Sequence, residues 1–233
     1  MNNLAILQAL AFEPRRAFAE LDARPRYWWP LLLLVITQAA VTVWYTSFVD
    51  LEWLVDNQLH QSARTSSMTD EEIARLASQM ASQRGLRVVI GGVGTALALP
   101  IVLLISALYY MLAAKVTGVE RSFRHWFALA CWSTVPTVIA LLPAAIALLT
   151  ATSNQVPQEA LQPLSLNQLF FGREPGDPGY SVLANINLLQ FVSVYLAAMG
   201  LKVWSRRSWT YSIVVAALPL VLIYGIWAFF SLR

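Results

Sequence analysis

This 233-residue chain is poor in the groups that react and in the groups that dissolve. A single cysteine, Cys131, excludes a disulfide scaffold and a thiolate metal cluster. The two histidines, His60 and His125, are too few and too far apart for a His-paired metal or acid–base site. Charged residues make up 12% of the chain against 58% hydrophobic, where a soluble domain is about a quarter charged, and a soluble protein is thereby excluded. The same excess excludes disorder, and the lack of a strict glycine period excludes collagen. A net charge of +3 is too small to point to nucleic acid. Gly91, Gly92 and Gly94 follow no strand and precede no GK[ST], so a phosphate-cradling loop is excluded too. What the chain has in abundance is apolar helix, and its implied partner is a lipid bilayer.

About 20 mostly apolar residues cover the hydrocarbon core as an α-helix. Five segments qualify, at 28–48, 88–114, 126–151, 183–203 and 211–231, and together they take half the chain. The expected fold is therefore all-α: a polytopic membrane helical bundle with five transmembrane helices, an N-terminal interfacial helix and an outer helical hairpin. A separate soluble catalytic domain has no room. Pro100, Pro136, Pro143 and Pro219 mark possible kinks. The first span is not a signal peptide, because residues 1–12 carry no basic side chain and 21 residues exceed an h-region.

Charge gives the orientation. Arg15, Arg16, Arg24, Arg26, Lys115, Arg121, Arg124, Lys202, Arg206 and Arg207 fall on one side with four acids, net +6; Arg64, Arg75, Arg84, Arg87, Arg173 and Arg233 fall on the other with nine, net −3. The N-terminus is predicted inside and the C-terminus outside. Tyr27, Trp28, Trp29, Tyr109, Tyr110, Trp126, Trp204, Trp209 and Tyr211 are expected at the inner boundary, and Trp44, Tyr45, Trp227 and Phe230 near the outer one.

Outside the spans, residues 1–26 read as a cytoplasmic interfacial amphipathic segment preceding a membrane domain at 27–233. Leu4, Leu7 and Ala11 recur at helical spacing, and Pro14 opens a second short helix with Ala17, Phe18 and Leu21 on one side. Arg15, Arg16, Phe18, Arg24 and Arg26 become candidates for contact with anionic lipid headgroups or a partner. In the first outer loop, Thr69 and Glu72 form a capping box, followed by Ile73, Leu76, Ala77 and Met80 at helical spacing. The segment from Asp50 to His60 extends span one and packs on that helix, making a hairpin with Met80 as a further contact candidate. The second outer loop has loop composition with a Leu169-Phe170-Phe171 break that dips into the interface or covers the bundle.

No constellation for catalysis emerges, and no cofactor or metal is expected. His125 reads as a solvated boundary residue and Cys131 as a buried inert thiol. No span carries a charge at its middle, which argues against ion-coupled transport. The interior polar set is neutral, with Gln38, Asn185, Asn187 and Gln190 its main candidates, read as interhelical glue or as a groove between spans one and four. Gly91 with Thr95 and Gly94 with Ala98 make small-xxx-small pairs for helix packing.

The order of features resembles bacterial members of the Yip (Ypt-interacting protein) family. The similarity rests on Phe12-Glu13-Pro14-Arg15-Arg16-Ala17-Phe18 before a basic-aromatic entry to span one and on Thr69-Asp70-Glu71-Glu72-Ile73 before a Gly-rich second span. It continues through Lys115-Val116-Thr117-Gly118 to Ser122-Phe123 and a third span reaching Pro136, and ends with Gly200-Leu201-Lys202-Val203 closing the fourth. An acid common at the start of the family's fourth span is replaced here by Asn185, Asn187 and Gln190. The resemblance implies a multi-spanning protein without known catalytic residues. Eukaryotic relatives act with small GTPases, and some bacterial ones look like accessory partners of ABC-type exporters. Fourteen Arg against two Lys point to a GC-rich bacterial source and hence a cytoplasmic membrane. The expected function is that of a non-enzymatic adaptor, assembly factor or accessory subunit, with a membrane-protein partner or a second copy of itself. The alternative is a small carrier or lipid-handling protein using the neutral groove.

Overall fold

A computed structural model describes residues 1–60 and 68–231; Arg64 and Arg233, counted above on the less basic side, lie outside the described residues. Those residues form eleven α-helices with short 3-10 and one-turn π segments and no strand. The chain is an all-α polytopic membrane protein, with five helices long and apolar enough to cross a bilayer.

Helices α1 (Asn3–Phe12) and α2 (Pro14–Ala23) open the chain. The Asn2 side chain caps α1 by accepting from Ala5 N, and Pro14 starts α2 where its missing N–H costs nothing. The first candidate span, α3 (Trp28–Phe48), has the expected bounds. It does not run on into α4 (Leu51–His60): Asp50 breaks the helix and caps the next one, accepting from Glu52 N at 3.1 Å and Trp53 N at 3.2 Å. In α5 (Asp70–Ser82) the capping box is closed on both sides, Glu72 N bonding Thr69 Oγ1 and Thr69 N bonding Glu72 Oε2. Gly85 lies in the first turn of α6 (Arg84–Val116). At about 1.5 Å per residue this 33-residue helix outruns a hydrocarbon core of about 30 Å.

The third span is α7 (Phe123–Thr134), a 3-10 stretch Val135–Ala140 and α8 (Leu141–Leu149). Pro136 is the cause, because its ring displaces the carbonyl four residues back and it has no N–H to donate. The fourth span starts later than predicted. A short helix α9 (Tyr180–Asn185) ends, Ile186 is extended, and only then does α10 (Leu188–Ser205) begin. Leu166 N donates to Ile186 O at 2.8 Å, and Ser165 and Asn187 form an isolated bridge. Asn185 and Asn187 therefore precede the candidate span instead of lying within it. The last helix, α11 (Trp209–Ser231), carries Pro219 inside it.

The chain divides into two compact units. One comprises Met1–Val35, Leu97–Thr137 and Leu188–Trp227, and the other Ile36–Ala96, Val138–Asn187 and Ala228–Arg233. The first holds ten basic and four acidic residues, net +6; the second holds six and nine, net −3. The division by compactness reproduces the division by charge.

In the first unit the core surrounds α7, whose residues from Trp126 to Ser133 are all buried. Trp126 and Trp204 belong to this core, 0% and 3% exposed, so both rings are covered by protein and not presented to headgroups. In the second unit Tyr45, Val49, Leu51, Leu54, Leu148 and Val156 form the core, and α4 packs on α5 through Ile73 and Ala77. The spans themselves are open: of the most apolar stretch of α6 only 6% is buried, a surface suited to hydrocarbon.

Small residues matter where backbones meet. A Cβ on Gly200 of α10 would overlap Leu129 and come within 2.9 Å of Phe18 Cδ1, and both neighbours are fully buried. On α6 the close approach is at Gly91 and Gly92, whose added Cβ atoms would lie 3.5 Å from Thr42 Cγ2 and 2.6 Å from Val43 Cγ2. Gly94 is exposed and meets nothing within 4 Å, so it is not a packing residue. Gly200→Val is expected to cost about 1–3 kcal/mol, as overpacking of a closed core does. Thermal unfolding in mild detergent should show a lowered midpoint for Gly200→Val and none for Gly94→Ala.

Candidate functional site

The N-terminal hairpin begins with sequence that cannot stand alone, two helices of ten residues each. Ile6, Ala9 and Leu10 of α1 and Ala17, Phe18 and Leu21 of α2 are buried, and α2 packs on α7 and α10. Phe18 meets Trp204 edge to face at 6.3 Å, and Trp204 in turn meets Trp126 at 5.7 Å and His125 at 5.9 Å.

Polar groups then lock what the rings bring together. Trp204 Nε1 donates to Phe18 O at 2.8 Å and Trp132 Nε1 to Arg26 O at 2.7 Å. Arg121 holds the Asp22 carboxylate through two bonds, Nε to Oδ1 at 2.7 Å and Nη2 to Oδ2 at 3.1 Å. The fork geometry raises the Arg121 pKa further. His125 Nε2 lies 3.1 Å from Asp22 O, a carbonyl in the last turn of α2 with no partner ahead of it in the helix. Because that oxygen only accepts, Nε2 is the donor, and Nδ1 accepts from Ser122 Oγ at 2.9 Å when the ring is neutral. The Met1 ammonium donates to Glu20 Oε1 at 2.7 Å, and this hydrogen bond holds the Glu20 carboxyl below its ordinary pKa. Arg26 Nη1 closes the loop on Met1 O at 2.9 Å.

Several expectations change here. Phe18 is 0% exposed and is a core anchor, unavailable to headgroup or partner. Arg26 is occupied with Met1. Arg15 and Arg24 are exposed, and Arg16 is exposed beside Glu13 at 3.1 Å. Leu4 and Phe12 of α1, 62% and 86% exposed, stand on the uncovered side of the hairpin. Nor is His125 simply solvated: it caps α2 against the core. Its neighbour's carboxylate is committed to Arg121, so the pair is a clamp and not an acid–base couple.

In the second unit Met80 is half-buried on the same stripe of α5 as Ile73 and Ala77, the stripe that faces α4. The hairpin is tied at its tip, where His60 Nδ1 lies 2.9 Å from Asp56 O, and His60 reaches the Asp56 and Asp70 carboxylates at 3.4 and 3.5 Å. Gln38 lines a cavity with Thr42, Gln83 and Arg87, whereas Asn185 lines a different one with Tyr180 and Ser181; Gln158 and Gln162 border both. Asn187 lines neither. Tyr180 donates to Glu159, and burial together with that carboxylate raises its pKa. Gln190 belongs to the first unit, where its Nε2 donates to the Tyr224 hydroxyl at 3.1 Å. Within the second unit Gln38 and Asn185 thus belong to different cavities.

Sequence reasoning passed over Asp22, Arg121, His125 and Trp204 as a set. One signal was available: the run from Trp126 to Ser133 is apolar on every face, as a helix enclosed by protein is. Among the described residues no group of three or more His, Cys, Asp and Glu side chains is placed to hold a metal.

Comparison with known proteins gives one match. The Yip1 domain model aligns with residues 7–230, which includes most of the hairpin as well as the spans. No curated protein and no solved structure matches the chain.

Trp204→Phe removes the donor to Phe18 O and shrinks the bicyclic indole to a single ring in a closed core, and is expected to cost about 1–3 kcal/mol. Trypsin should then cut faster at Arg15 and Arg16, while an unchanged rate would show that the bond does not hold the hairpin. His60 supplies a pH dependence. The backbone oxygen of Asp56 first, and the two carboxylates after it, raise its pKa above 6.5. A raised folded pKa means that the contribution to the hairpin is complete below pH 6.5 and is lost as pH rises through the folded value. The His60 ring resonance should titrate above 6.5, and Asp56→Asn with Asp70→Asn should move it part of the way back.

Proposed function

The chain belongs to the Yip1 domain family, and from that premise we propose that it is a non-enzymatic membrane adaptor, an assembly factor or accessory subunit of a complex such as an ABC-type exporter. It is a multi-pass membrane protein. In this reading it resides in a bacterial cytoplasmic membrane with its N-terminus inside and its C-terminus outside. The charge division of +6 and −3 between the two units supports that orientation.

The observation that carries the proposal is the hairpin. Its inner side is fastened by rings and charge-assisted bonds, while Leu4, Phe12, Arg15 and Arg24 remain uncovered on its other side. A preorganised surface with apolar tips and fixed positive charge avoids much of the ordering cost of binding. The apolar tips meet lipid or an apolar partner surface, and the arginines meet anionic headgroups or partner carboxylates.

A photoreactive residue at Phe12 or Arg15, introduced at native expression, tests this. A discrete protein adduct, either to another membrane protein or to a second copy, is expected, and it should disappear in Arg15→Glu with Arg24→Glu. Adducts to lipid alone, or a lone monomer after purification in mild detergent, overturn the adaptor reading.

A further inference from the structure

The second unit contains a cavity of about 640 Å³ that the hairpin does not explain. Two stripes face it. Gln38, Thr42 and Thr46 recur every four residues on α3, and Gln83, Arg87 and Gly91 do the same at the start of α6. At Gly91 the two helices close on each other, with Thr42 as the facing side chain. From Thr46 to Gln38 the α3 stripe descends about 12 Å, into the depth that the hydrocarbon of one leaflet would occupy.

Charge in this cavity is one-sided. Arg87 is its only Arg or Lys, and no carboxylate lines it. The other described arginines of this unit are used elsewhere. Arg84 donates to Ser47 O and Val49 O, both at 2.9 Å; Arg75 pairs with Glu71; Arg173 donates to Pro178 O. Arg87 forms no ion pair or side-chain hydrogen bond among the described residues, although it is half-buried and one turn inside a candidate span. A guanidinium half-buried beside apolar wall without a counterion is costly, and an anion relieves the cost. The neutral donors around it suit an anion as well. Gln58 Nε2 donates to Gln158 Oε1 at 3.1 Å, so the oxygen of Gln158 is taken and its N–H groups are the part to offer. Leu86, Ile90 and Leu141 provide apolar wall on the same cavity.

We propose that this cavity binds one phosphate-bearing amphiphile, a glycerophospholipid entering from the bilayer, with the phosphate on Arg87 and an acyl chain along Leu86, Ile90 and Leu141. The binding chemistry is that of a phosphate oxyanion on a guanidinium, which a free phosphate shares. The apolar wall beside Arg87 selects the lipid.

Native mass spectrometry of the full chain, delipidated in mild detergent and titrated separately with phosphatidylglycerol, diacylglycerol and inorganic phosphate, tests the assignment. One phosphatidylglycerol per chain is expected, with diacylglycerol and inorganic phosphate each bound at least about tenfold more weakly. Arg87→Gln should weaken phosphatidylglycerol about tenfold or more, Arg87→Lys less, and Arg75→Gln not at all. If Arg87→Gln fails to fold, Leu141→Trp, which fills the apolar wall and leaves the charge, should also expel the lipid. Retention unchanged in Arg87→Gln, or in Leu141→Trp where that variant stands in for it, overturns the proposal. Diacylglycerol bound as tightly as phosphatidylglycerol overturns the role of the phosphate, and inorganic phosphate bound as tightly overturns the role of the lipid.

Discussion

Apolar side chains gain almost nothing by leaving lipid for one another, and this constraint governs where the protein is held together. In water, α6 would have to bury Leu97, Ile101 and Ile105, which stand 61%, 54% and 62% exposed. In a bilayer they can stay open. Fastening therefore falls to groups that lipid cannot satisfy: indole N–H, guanidinium, carboxylate, and the carbonyls that helices leave unpaired at their ends. Trp204 on Phe18 O, Trp132 on Arg26 O, Arg121 on Asp22 and Arg84 on two carbonyls are all of this kind. The buried cores form around them.

The same constraint explains why the two compact units match the two sets of charges. Ionic and dipolar fixings need other polar groups nearby, so they gather with the residues that orient the chain in its membrane. In the first unit the fixings join the hairpin to α7 and α10. The second spends Arg84 on closing the α3–α4 corner and leaves Arg87 uncommitted.

Much of this was legible in the sequence. Five apolar stretches became five candidate spans, the first with matching bounds, and the capping box at Thr69 opened α5 as its spacing required. The errors share a cause. Trp126, Trp204 and Phe18 were read as boundary or surface residues because an aromatic ring at a helix end suits a membrane interface and a protein core equally. Asn185 and Asn187 were read as intramembrane because hydropathy averages over a window and cannot see one extended residue, Ile186, that ends a helix. The partnership of Asp22 with Arg121 and His125 spans about a hundred positions, beyond any local pattern. The vacancy of Arg87 depends on what the other arginines already hold.

The bond from Trp204 to Phe18 joins residues 186 positions apart, which gives the hairpin a history during synthesis. At about 5–20 residues per second, roughly 10–40 s separate the emergence of α2 from that of its anchor. During that interval Phe18, fully buried at the end, lacks the cover that α10 gives it. Two ten-residue helices do not persist in water, so the nascent segment has to shelter its apolar side in the headgroup region or in an insertion factor. The arrival of α10 then draws it off that surface. The fastening of the hairpin thus waits for α10, although the hairpin is the first part of the chain to be made.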